Sequence, residues 1–191
     1  MLRILDSRGA ERLLARREAR LDAAARTVAP ILADVRKKGD AALLRYARRL
    51  DGLKSSSVEV PGRELREAQA GLEAGFRRAL REAAANIRSF ARRQVPRPWM
   101  ENLRRGLRAG QIVRPLDSVA AYVPSGRYPL PSTLLMTVIP ARAAGTPVVM
   151  AASPRPSPEV LGTAAFLKVD RFFRMGGAHA IAAFGYGTRT V

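Results

Sequence analysis

From Glu64 to Arg93, apolar side chains recur at Leu65, Ala68, Leu72, Phe76, Leu80, Ala83, Ile87 and Phe90 or Ala91. Steps of three and four put them on one face, so the spacing predicts a single long amphipathic helix. Its other faces carry Arg77, Arg78, Arg81, Arg88, Arg92 and Arg93, and Gln94-Val95-Pro96-Arg97-Pro98 ends it because proline cannot continue the hydrogen-bond ladder. Upstream, Val28, Ile31, Leu32 and Val35 form another stripe that stops near Gly39. Asp40 then reads as the N-cap of a helix from Ala41 to Leu50, closed by Asp51-Gly52. Lys54 to Pro61 reads as a polar loop with room for one short strand.

Beyond Trp99 the pattern changes. Val119–Val123 is a short apolar run before Pro124-Ser125-Gly126, which predicts a buried strand entering a loop. Ser132–Ala144 fits a helix that Pro140 should kink or deprive of a hydrogen bond, with Gly145 as its cap. Thr146–Ala151 is a second strand, Ser157 or Pro158 to Val169 a helix, and Arg171–Met175 a third strand. Gly176-Gly177 then turns into a helix from Ala178 to about Tyr186. Alternating strand and helix predicts parallel βαβ units. The expected fold class is α/β, with a mainly helical part over residues 1–105 and a Rossmann-like parallel sheet over residues 106–191.

Composition narrows the chemistry. The absence of cysteine removes disulfides, thiolate nucleophiles and cysteine metal sites. No apolar run reaches the roughly 18 residues of a membrane span, and the first twenty residues are charged too early for a signal peptide, so a cytoplasmic protein is expected. The balance of 34 Lys+Arg against 16 Asp+Glu gives a net charge of +18. Only residues 37, 38, 54 and 168 are lysine; the rest of the surplus is arginine. Solvated arginine-rich helix faces account for it, with non-specific binding of nucleic acid or another polyanion as the alternative.

In an open α/β sheet, ligands bind beyond the carboxyl ends of the strands. Three loops lie there: Pro124–Pro131, Ala152–Ser157 and Gly176–His179. The first gathers Tyr122, Ser125, Gly126 and Arg127; the third joins a glycine turn to a helix N-terminus, whose N–H groups suit an anion or a polar cofactor edge. Neither is a G-x-G-x-x-G fingerprint. His179 is the one histidine, which with no cysteine cannot build a usual zinc site. A Ser–His–Asp or paired-carboxylate arrangement is not legible either.

Contiguous segments say more. LADVRKKGDAALLRYARRLDG (32–52), the stretch from Ala85 to Pro96, and GQIVRPL (110–116) resemble segments of histidinol dehydrogenases. So do YVPSGRYPLPSTLLMTVIPARAAG (122–145) and FRMGGAHAIAAFGYGTRTV (173–191), in that family's order and spacing. The resemblance implies a cytoplasmic homodimer that oxidises L-histidinol to L-histidine through the aldehyde, with NAD and a bound zinc. It also implies large domains of the aldehyde-dehydrogenase type, residues 1–105 opening the first and residues 106–191 forming most of the cofactor-side one. Tyr122 matches the family tyrosine that contacts NAD, and His179 stands where a glutamine makes another NAD contact. The family's zinc ligands and its Glu–His acid–base pair have no matching position in this sequence, so no catalytic and no metal residue is carried over. The 191-residue chain by itself is therefore expected to be inactive as a dehydrogenase.

Overall fold

A computed structural model describes residues 6–126 and 128–191. Three parallel strands, β3 (Ser118–Tyr122), β4 (Val148–Ala152) and β5 (Arg171–Phe173), lie side by side in chain order. Helices α5 (Pro131–Ala143) and α6 (Pro158–Phe166) connect them, and α7 (Gly177–Tyr186) follows β5. The predicted alternation of strand and helix therefore holds, with boundaries moved by a few residues.

The sheet is covered on both faces because its side chains alternate. Ala121, Val149, Ala151 and Phe172 face one apolar cluster with α5, α6, α3 (Gly62–Ala70) and α4 (Ala74–Gln94). Ala152, Phe173 and Met175 face the other, with α7, α1 (Ser7–Lys38) and α2 (Asp40–Tyr46). Strands buried on both faces read as continuous apolar runs, which is what VVMAA displays.

Several expectations need correction. The long helix from Glu64 to Arg93 is two helices, α3 and α4, separated at Gly71-Leu72-Glu73. The break lets Leu72, 6% exposed, turn inward against α6, so the apolar stripe survives although the helix does not. Asp40 is no N-cap: Gly39, at φ +54°, separates α1 from α2, and the Asp40 carboxylate accepts instead from the Thr190 N–H at 3.2 Å and hydroxyl at 2.7 Å. The helix expected to run to Leu50 ends at Tyr46 and widens into a π-helical turn, Ala47–Asp51, before Gly52 at φ +72°. Helix α5 passes through Pro140, which removes one N–H from its ladder.

An antiparallel hairpin, β1 (Trp99–Arg104) and β2 (Leu107–Gln111), was not legible in the pattern. All six residues of β1 are exposed, so no side-chain alternation marks it. Trp99, Met100, Leu103 and Leu107 stand 40–58% exposed on it. The polar loop Lys54–Pro61 contributes a single antiparallel bridge, Glu59 to Phe173, at the edge of β5. Among the described residues, no helix is long and apolar enough to cross a membrane. The arginines of α4 named above are exposed.

Two ion pairs join the helical region to β5. Arg171 donates to both oxygens of Glu59 at 2.9 and 2.6 Å, and Arg174 forks onto Glu64. Hydrogen bonding and charge from these arginines hold both carboxyls below the usual glutamate range. A carboxyl whose pKa is lower folded than unfolded contributes stability above the unfolded pKa, and loses it as pH falls through the folded one. Stability should therefore decline below about pH 5, and the Glu59→Gln/Glu64→Gln double variant should decline less steeply. Partial exposure keeps each pair below about 1 kcal/mol. Urea midpoints at pH 7 and pH 3.5 check this; identical slopes in both proteins would exclude these pairs as the source.

Candidate cofactor site at the carboxyl ends of the strands

The parallel strands end on one side of the sheet, and their three loops meet there. Backbone bonds first align the strand ends: Val123 donates to Ala152 at 2.8 Å and Ser153 to Phe173 at 3.0 Å. The first and second loops are then tied by hydroxyls. Ser125 Oγ lies 3.1 Å from the Oγ of Ser153, which is 2% exposed, and accepts from the Arg155 N–H at 2.9 Å. Pro124, Ser125, Gly126, Tyr128, Ser153 and Arg155 are among the residues lining a cavity of about 130 Å³. Arg127 of the sequence-predicted set lies outside the described residues.

The third loop depends on its two glycines for different reasons. Gly176 has an extended backbone, φ −143°, but a Cβ there would come within 2.8 Å of Pro154. Gly177 sits at φ +55°, a conformation that side-chain-bearing residues rarely adopt. Together they let the chain turn closely against the second loop. Tyr122, at the end of β3, reaches across and accepts from the Gly177 N–H at 3.4 Å. Its ring is partly buried, its hydroxyl at the turn.

His179 lies one turn into α7 and is 1% exposed. Its Nε2 is 2.8 Å from Asp51 Oδ2, and its ring stacks on Tyr46 with centroids 6.0 Å apart. The same Asp51 oxygen accepts from the Gly176 N–H at 2.8 Å. The helix N-terminus, expected to offer its N–H groups to a ligand, thus already holds a protein carboxylate. His179 Nδ1 is buried with no hydrogen-bond partner. Sequence reasoning missed both Asp51 and Ser153. Asp51 was read only as part of a helix stop, and nothing local signals a partner 128 positions away.

Asp51, Lys54, Ser55, Arg155 and Arg174 also line a neighbouring cavity of about 400 Å³ beside the turn. Arg174 is held by Glu64, leaving Lys54 and Arg155 to give this rim its positive charge. Ser157 caps α6 by accepting from Val160, and hydrogen bonds from the Ser157 hydroxyl and its own N–H hold Glu159 below the usual range. A further cavity, about 240 Å³ between α4 and α5, lies away from the strand ends.

The orphaned Nδ1, the Tyr122 hydroxyl, the paired serines and the basic rim fit a polar, phosphate-bearing cofactor edge. They do not fit zinc. Among the described residues, no three His, Cys, Asp or Glu side chains gather where an ion could be held.

Residues 14–191 match the family model described as histidinol dehydrogenase. The chain is 44% identical over 169 residues to the histidinol dehydrogenase of Methanothermobacter thermautotrophicus, covering 86% of this chain and 40% of that protein. It is 42% identical over 172 residues to that of Geobacillus kaustophilus, covering 87% and 40%. The crystal structure of histidinol dehydrogenase from Elizabethkingia anophelis superposes with a TM-score of 0.81 at 28% identity, over 87% of this chain and 40% of that one. The chain spans about two-fifths of the length of these relatives.

Proposed function

Because the chain belongs to the histidinol dehydrogenase family, we propose that it supplies the cofactor side of an NAD-dependent oxidation of L-histidinol to L-histidine. On this reading, residues 1–105 begin the first large domain and residues 106–191 make most of the cofactor-side domain. The whole enzyme is a cytoplasmic homodimer. Zinc and the acid–base pair belong to the part of the relatives that this chain does not span, so no step through the metal is assigned to these residues.

The carrying observation is the turn at Gly176-Gly177, met by the Tyr122 hydroxyl on a scaffold that superposes on a histidinol dehydrogenase. NAD, when bound, supplies the hydride acceptor. This chain's residues bind and orient it. Tyr122 presents a hydroxyl that can donate while it accepts from Gly177, and Lys54 and Arg155 put positive charge where a diphosphate would lie. His179 bears on the cofactor through the only nitrogen Asp51 leaves to it, Nδ1. Asp51 at the helix N-terminus repels a phosphate there, which favours the Arg155 side for the diphosphate.

Saturation-transfer NMR on the isolated chain should detect NAD at millimolar concentration, and Tyr122→Phe should weaken binding about fivefold through one lost hydrogen bond. No transfer at that concentration would overturn the cofactor reading. Histidinol added with NAD should yield no NADH; steady release from this chain alone would show that it holds acid–base groups assigned here to the remainder.

A further inference from the structure

We propose that Asp51 is a positioning residue for the cofactor edge, acting through the Gly176–His179 turn; the cofactor part of this rests on the NAD reading above. One carboxylate oxygen, Oδ2, serves two groups: the Gly176 N–H and His179 Nε2, each at 2.8 Å. A carboxylate only accepts, so Nε2 carries a proton, and the protein partner of the ring is fixed. The two side chains are 10% and 2% exposed, so water does not replace either bond. Charge-assisted bonds of this kind are stronger than neutral ones.

The turn is thereby held from two sides. Tyr122 meets Gly177 from β3, and Asp51 meets Gly176 and His179 from the end of the π-helical turn. These bonds reach across 55, 125 and 128 positions, so the geometry of the turn is set by distant elements and not by its own sequence. A turn ordered in advance loses less freedom when a ligand arrives. Without Asp51, a buried N–H and a buried ring nitrogen lose their acceptor together, and the turn relaxes to find others.

The test uses the 191-residue chain, whose one histidine gives a single set of ring signals. Wild-type protein should show a slowly exchanging Nε2–H resonance. Asp51→Ala should lose it and raise the dissociation constant for NAD, measured by titration calorimetry, about tenfold. Asp51→Asn keeps a neutral acceptor and should restore the resonance, with affinity within about threefold of wild type. A role confined to fold stability would lower the melting temperature of both variants yet leave NAD affinity unchanged well below it; that result overturns the proposal. Should Asp51→Ala fail to fold, Asp51→Asn decides alone: its weaker acceptor should shift the Gly176 amide and Nε2–H signals, and unmoved signals overturn the proposal. If both signals respond but wild-type chain does not bind NAD, the NAD reading fails while the hold of Asp51 on the turn stands.

Discussion

Truncating Phe172 to alanine is expected to destabilise the chain by about 3–5 kcal/mol, lowering its melting temperature by roughly 10 °C. Phe172 is fully buried in the middle of β5, where it closes the cluster formed with α3, α4, α5 and α6. Two terms add: the transfer of a phenyl ring out of an apolar site, and the hole left when neighbours cannot fill it. Collapse is hard here because Val149, Ala151 and Ala121 are backbone-anchored strand residues on the same face. Urea titration measures the loss, and a value under about 1 kcal/mol would mean that the ring is not packed as described.

Gly162→Val should be nearly as damaging, for the opposite reason. Helix α6 crosses α3 so closely at Gly162 that a Cβ would stand 2.9 Å from the Leu72 side chain and 3.0 Å from the Ala68 carbonyl oxygen. Leu72 can move, but the carbonyl belongs to α3 and moves only with its helix. Overpacking of this kind costs about 1–3 kcal/mol, and the rigid neighbour places valine at the upper end. A double-mutant cycle with Leu72→Ala separates the two contacts: relief of part of the loss assigns that part to Leu72, and the remainder to the backbone of α3. Full additivity would contradict the close crossing.

How far the sequence could be read follows from what each element depends on. The runs at Val119–Val123 and Thr146–Ala151 became β3 and β4 because two-sided burial leaves a local mark, an uninterrupted apolar stretch. The hairpin left none, since both faces of β1 are exposed and its strands are defined by pairing with each other. Gly71 did not look like a helix break because an apolar period of three and four continues across it. At the site, Tyr122 and His179 were found through motifs, and Gly176-Gly177 through its turn chemistry. Asp51 could not be found that way. Its role lies in one oxygen meeting two donors that are adjacent only after the chain has folded.

The π-helical turn at Ala47–Asp51 also decides where this chain tolerates a change of length. A π-turn holds one residue more than the α-helical turn it replaces. Deleting a single residue there lets the helix close into regular α geometry, which rotates everything beyond it by about 100°. The carboxylate of Asp51 would then point away from Gly176, although every side chain of the site was still encoded. Surface loops absorb such an indel with little effect, whereas this short segment acts as a phase-setter between the helical region and the cofactor edge.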